Sequence, residues 1–194
     1  VITLPLFPLN TVLFPGGLLP LRIFETRYID MVRKCLRTDS GFGICMIRAD
    51  SAGGEVGGAA EVYPVGTRAV IADWEGRPDG LLGITARGEQ RFRILRTWVE
   101  PDRLLMGEVE PLQEPAATPL PEEFLSLSSL AERILTELGE PYASLPREPA
   151  NALWVGARLA ELLPVDHAVK QQMLECDDAL TRLFMLRDAM LSHF

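Results

Sequence analysis

Charge is missing from the first 21 residues, VITLPLFPLNTVLFPGGLLPL, and basic charge begins only at Arg22. An uncharged stretch of about twenty residues has the length of a transmembrane helix. Pro5, Pro8, Pro15 and Pro20 exclude that helix, because each removes a backbone donor and clashes with the preceding turn, at about 3 kcal/mol in a helix interior. An extended, unpaired chain fares no better in lipid, where its amides go unsatisfied. A secretion signal needs a basic segment ahead of the apolar one, and here Arg22 comes after it. The stretch therefore reads as interior strand, with residues 4–9, 11–14 and 18–24 extended and bends at Asn10 and at Pro15-Gly16-Gly17. It lacks clean alternation of polar and apolar residues, the pattern of strands covered on both faces.

Reactive groups are equally scarce. The two histidines, His167 and His193, form no HExxH pair, which removes that zinc hydrolase ligand set. The three cysteines, Cys35, Cys45 and Cys176, are far apart and never in a CxxC pair, so they read as reduced thiols of a cytoplasmic protein. There is no GxSxG elbow. A phosphate loop needs a lysine after its second glycine, and the only lysines, Lys34 and Lys170, follow no glycine. With no nucleophile, metal or cofactor set to name, the reading is a non-enzyme with catalytic residues none, metal none and cofactors none.

What is present is material for a core. The 194 residues are 47% hydrophobic, and a chain of this length buries about 70% of the surface exposed when unfolded. A formal charge of -8 disfavours nucleic acid and anionic lipid as partners. Up to about Leu112 the chain is mostly short extended runs. TRYIDMVRKCLRTD, residues 26–39, is the exception: Tyr28, Ile29, Val32, Cys35 and Leu36 share one helical face, Thr26 can cap it and Ser40-Gly41 ends it. Strands are expected at 42–48, 62–74, 81–88, 90–98 and 103–112, with turns at EGRPDG and EPD. Residues 49–61, rich in glycine and small side chains, read as a mobile loop. Closely spaced strands suggest a small barrel or sandwich.

After the proline-rich linker at 113–121 the apolar period lengthens to about 3.6. Residues 122–139 place Phe124, Leu127, Ala131, Ile134 and Leu138 on one stripe. Three more helices follow, ALWVGARLAELL capped by Asn151 and stopped by Pro164, HAVKQQMLE capped by Asp166, and DALTRLFMLRDAMLSHF capped by Asp177. The fold class is α+β, with residues 1–115 forming a β-rich subdomain and 116–194 a helical one.

Several local features admit two readings. In RFRILR, residues 91–96, Arg91 and Arg93 share a strand face, which is either a solvated surface or a grip for phosphates or acidic peptide. In IFETRY, residues 23–28, the charges Glu25 and Arg27, with Arg22 just before them, either lock the strand-to-helix junction or frame a ligand. Trp74 and Trp98 at strand ends either pack the core edge or stack on a ligand.

The run LPLFPLNTVLFPGGLLPLRIFETRY resembles the start of the Lon protease N-terminal domain, in which a PLFPL-type segment leads through FPG to an IFE-x-RY junction. FGICMIR, VGTRAVI and GITARGEQRFRI extend the likeness, and KQQMLECDDALTRL is similar to the helical part of that family. The resemblance implies an N-terminal PUA-like β-barrel with a C-terminal α-helical bundle, and a stand-alone relative without the family's ATPase and protease modules. It implies a non-catalytic module that binds unfolded or apolar polypeptide segments or docks as an adaptor to a protease or ATPase partner, through apolar surface at the seam of barrel and bundle and through strand-edge pairing. Phe14, Arg22, Glu25, Tyr28, Arg91 and Trp98 are the expected binding residues. The alternative is an RNA-binding PUA-like protein, which draws on the arginines from Arg87 to Arg103. No membrane association is expected.

Overall fold

In the computed structural model, which describes residues 1–48 and 61–192, the proline-studded opening run is sheet. The expected mobile loop lies outside the described residues apart from Glu61. The chain divides into two compact units, Val1–Gln113 and Glu114–Phe194. No helix among the described residues is long and apolar enough to cross a membrane.

The first unit contains β1 (Ile2–Leu9), β2 (Leu18–Ile23), α1 (Thr26–Thr38), β3 (Phe42–Met46), β4 (Val65–Gly76), β5 (Leu82–Val99) and β6 (Leu105–Pro111). They form one six-stranded sheet in the order β2-β5-β4-β3-β1-β6, and β6 also pairs with β5. The ladder therefore returns on itself, leaving β2 outside the circuit with β5 as its one neighbour among the described residues.

This topology explains the missing alternation. Leu4 and Leu6 of β1 join Cys45, Phe92, Leu105 and Val109 in one buried cluster. Phe7 joins Tyr28, Val32, Phe42, Ile44, Ile84 and Ala86 in another, beneath α1. Both faces of β1 and β3 are thus apolar because each faces a separate core, at about 1.5–3 kcal/mol for each large side chain buried.

Three expectations change. Residues 11–14 form no strand: Val12, Leu13 and Phe14 are buried in an irregular loop. Its backbone is satisfied from elsewhere, as the Thr67 hydroxyl donates to the Leu13 carbonyl at 2.6 Å and the Gly17 amide to the Phe14 carbonyl at 3.0 Å. The two strands expected at 81–88 and 90–98 are one 18-residue strand, β5. The strand does not end at Gly88. A Cβ at Gly88 would lie 2.3 Å from the Phe14 carbonyl oxygen, so glycine lets the loop cross the strand. A Gly88→Ala variant is expected to lose about 1–3 kcal/mol in urea unfolding, whereas Gly76→Ala, with nothing within 4 Å of its Cβ, serves as the mild control. Finally, the cap of α1 is Glu25 by backbone position, with Thr26 already the first helical residue.

In the second unit α2 (Leu125–Leu138), α3 (Ala152–Leu162), α4 (His167–Glu175) and α5 (Ala179–Leu191) follow one another. Phe124 heads α2 from a short 3-10 turn. The buried stripe of α2 runs through Ser128, Ala131 and Leu135, and Leu138 is half exposed. A small polar residue, Ser128, sits on that stripe because its hydroxyl donates to the Pro149 carbonyl at 2.6 Å. Asn151 and Asp166 cap α3 and α4 as their side-chain chemistry predicts. The cap of α5 is Asp178, one residue beyond the expected Asp177, with its carboxylate accepting from the Thr181 amide at 2.8 Å. Arg182 is buried and donates to the carbonyls of Met173 and Cys176 at 2.8 and 2.9 Å, closing the C-terminal end of α4. Arg182→Met, which keeps the volume but removes the donors, is expected to cost about 2–3 kcal/mol in thermal or urea unfolding.

Candidate functional site

Amphipathicity fixes how α1 lies on the sheet. Tyr28, Met31, Val32 and Cys35 are buried, while Arg33, Lys34 and Arg37 stand in solvent. The sequence pattern placed Leu36 on the buried face, yet it is 39% exposed, and Met31 takes its place in the core. At the helix start, Glu25 accepts from Arg27 at 3.0 Å. Arg27 also donates to the Arg103 carbonyl at 2.9 Å, tying the junction to the turn between β5 and β6. Its guanidinium lies 4.8 Å from the centre of the Tyr28 ring, and that ring stacks on Phe7 with centroids 4.1 Å apart.

A cleft opens on each flank of α1. On the first flank, Ile29, Arg33 and Leu36 of the helix face Trp74, Arg77 and Leu82 of the β4–β5 hairpin across a cavity of about 360 Å³. Trp74 is 56% exposed although it sits on a strand. The hairpin tip is held by the Arg77 amide donating to the Leu81 carbonyl, by the Gly80 amide donating to the Arg77 carbonyl, and by the Asp79 carboxylate, which accepts from the Leu81 amide at 3.1 Å. Gly80, with φ of 80°, adopts a left-handed conformation that favours glycine.

On the second flank, Ile2, Leu4, Met31, Leu104 and Met106 surround a cavity of about 430 Å³ that also touches Lys34 and Cys35. Burial pushes the Cys35 thiol up from its ordinary value. It is protonated at neutral pH and a poor nucleophile. Burial raises Cys45 in the same sense. An adjoining depression of about 510 Å³ adds Asp30, Glu100 and Asp102, giving this flank an acidic margin. Among the described residues no group of three His, Cys, Asp or Glu side chains is placed to hold a metal ion.

The outer edge of β2 is a third feature. Gly88 donates its amide to the Gly17 carbonyl at 2.9 Å, and β2 pairs with β5 from Leu18 with Arg87 to Ile23 with Leu82. Antiparallel alternation then directs the backbone groups of Leu19, Leu21 and Ile23 toward β5, and those of Leu18, Pro20 and Arg22 toward the open edge. Pro20 has no amide to present there. One donor of the edge is thereby removed, a common way of limiting indiscriminate strand pairing.

The structure separates the six expected binding residues. Arg22, Glu25 and Tyr28 gather at the junction of β2 and α1. Arg22 is exposed and lines a depression of about 420 Å³ on the hairpin's other face, with Asp73 and Glu75. Tyr28 is buried. Trp98, half-buried on β5, donates to Glu100 at 3.0 Å and lies 4.6 Å beneath the Arg96 guanidinium. Phe14 and Arg91 are fully buried elsewhere. Arg91 therefore does not share solvent with Arg93: its guanidinium donates to the Gln113 carbonyl at 3.1 Å. The hairpin-side cleft brings in Arg33 and Arg77, which the sequence did not single out, Leu36, which it assigned to the core face of the helix, and Trp74, which it noted only as one of two strand-end tryptophans. The usable signal was an aromatic in the same hairpin as EGRPDG.

The family described as the ATP-dependent protease La (LON) substrate-binding domain matches residues 3–192. The Lon protease of Lawsonia intracellularis is 31% identical over 95% of this chain and 23% of its own length. Lon protease 2 of Myxococcus xanthus is 28% identical over 93% of the chain and 22% of its own length. The chain thus spans about a quarter of the curated relatives it matches. A crystal structure of a Lon N-terminal domain protein from Xanthomonas campestris superposes with a TM-score of 0.77 at 37% identity, covering 97% of this chain and 98% of that one. The N-terminal domain of the Mycobacterium avium complex Lon protease shares the fold, with a TM-score of 0.63 at 23% identity over the full length of both.

Proposed function

The chain belongs to the family of LON substrate-binding domains, and from that premise we propose that it is a non-catalytic module that binds unfolded or apolar polypeptide segments, alone or as an adaptor to a protease or ATPase. In this reading residues 1–115 are a PUA-like barrel, built on the circuit of strands that returns to β5, and residues 116–194 are a helical bundle around α3. Its setting is the cytoplasm, consistent with three thiols that are free of disulfides.

The observation that carries the reading is the hairpin-side cleft. Trp74 and Leu36 stay exposed at its mouth, while Ile29 and Leu82 lie deeper and only partly buried. A soluble unit gains by burying such groups, and a polypeptide side chain entering the cleft would bury them. Phe24, 68% exposed just past the pairing of Ile23 with Leu82, adds apolar surface at the same end of the sheet. The open edge of β2 offers main-chain bonds to an extended segment, reduced by Pro20. Cys35 and Cys45, kept protonated by burial, supply no nucleophile.

The RNA alternative has less support. Arg91 is buried, Arg96 pairs with Glu108 at 2.8 Å, and Arg93 sits opposite Glu110 in the ladder. The test is a peptide array beside an RNA titration. Enrichment of apolar segments is expected, together with no RNA complex at moderate salt. An array without apolar enrichment would sink the proposal, and RNA binding that weakens steeply with added salt would favour the alternative.

A further inference from the structure

We propose that the cleft between α1 and the β4–β5 hairpin selects polypeptide segments in which an aromatic or aliphatic side chain is flanked by acidic residues, an inference that rests on the polypeptide-binding reading above. The cleft has a cationic residue on each wall, Arg33 from the helix and Arg77 from the hairpin, and among the described residues no acidic one lines it. Neither guanidinium is engaged by a hydrogen bond or ion pair from another described residue. Elsewhere in the same unit Arg27, Arg68 and Arg96 are each paired with a glutamate.

The surroundings sharpen the contrast. Helix α1 carries Arg27, Arg33, Lys34 and Arg37 against a single acid, Asp30. Asp30 lines the opposite flank, in company with Glu100 and Asp102. On the hairpin, Asp79 is occupied in the turn. Asp73 and Glu75 alternate with Trp74 along β4, so they face away from α1 and line the depression on the hairpin's other side, where Arg22 accompanies them. Arg77 and Trp74 border both depressions and form the rim between them. Acid is therefore sorted away from this cleft, in a chain whose formal charge is -8.

Positive charge on both walls of an apolar slot discriminates more than it binds. An acidic flank gains two partly exposed ion pairs, while a basic flank meets two like charges. The apolar side chain would lie against the Trp74 face, and its acidic neighbours would reach Arg33 and Arg77.

The test uses the full chain and three labelled peptides that share a Phe-Leu core, with Asp/Glu, Ser/Gly or Lys/Arg flanks, read by fluorescence anisotropy. At low salt the acidic peptide is expected to bind about five- to tenfold more tightly than the neutral one, and the basic peptide most weakly. The margin should shrink as salt is added. The double variant R33E/R77E, on exposed positions, is expected to reverse the order in favour of Lys/Arg flanks, whereas R87E, on the other face of β5, leaves it unchanged. Equal affinity for the three peptides, or an order that R33E/R77E does not alter, overturns this inference and leaves polypeptide binding standing. No binding by any of the three overturns the polypeptide reading itself and this inference with it. Tighter binding of a single-stranded RNA than of the acidic peptide, lost in R33E/R77E, overturns it in favour of phosphate recognition.

Discussion

A Phe14→Ala variant is expected to lose about 3–5 kcal/mol of folding stability, with any peptide binding falling only as far as the folded fraction falls. Phe14 has no solvent-accessible surface, and Val12 and Leu13 beside it are also buried. The three lie in a loop, where no strand ladder holds the backbone, so side-chain burial and a few cross-bonds keep it in place. The Thr67 hydroxyl, itself buried, reaches the Leu13 carbonyl, and the Gly17 amide reaches that of Phe14. The loop then crosses Gly88 at a distance that admits no side chain. Removing the ring leaves a cavity that these neighbours cannot readily fill, because the backbone on one side belongs to the 18-residue strand β5. Urea unfolding of the variant measures the loss. A change below about 1 kcal/mol would mean that the loop repacks freely and that Phe14 is not a structural anchor.

Phe14 also marks a limit of the sequence. Its place just before Pro15-Gly16-Gly17 reads as extended interior strand, and the family resemblance put it among the expected binding residues. Nothing local shows that Thr67 and Gly88, more than fifty residues away, complete its environment. Arg91 misleads in the same way. Alternation set it beside Arg93 on one strand face, which is geometrically sound, but the Gln113 carbonyl that accepts from Arg91 is supplied by the chain beyond β6. A strand break between residues 88 and 90 is a natural reading only when the crossing loop is unknown. In contrast, the prolines of β1 and β2, the helix beginning at Thr26 and the side-chain caps at Asn151 and Asp166 depend on chemistry within a few residues, and these were legible. The hairpin-side cleft was not, because α1 and the hairpin contribute its walls from segments that lie dozens of residues apart. Leu36 looked like core by spacing. Its exposure follows from the rotation of α1 that seats Met31 and Cys35, a choice the period of 3.6 leaves open by one position.

Trp74→Ala is expected to weaken binding of an apolar peptide by about thirtyfold, the roughly 2 kcal/mol of a hot-spot aromatic, while stability changes by less than about 1 kcal/mol. The two effects separate because the indole is more than half exposed in the unbound chain, so its area is buried mainly when a ligand arrives. Leu36→Ala should weaken binding less, and the double variant should fall short of the sum, since both side chains line one cleft and would share one ligand side chain. Trp98 provides the counter-case. Its indole already donates to Glu100 and lies beneath Arg96, so Trp98→Ala is expected to cost stability and leave the peptide dissociation constant unchanged. Binding and unfolding measured on the same preparations distinguish the two tryptophans. If Trp98→Ala weakened binding and Trp74→Ala did not, the ligand surface would lie along β5, and the cleft beside α1 would be an unfilled notch with no part in recognition.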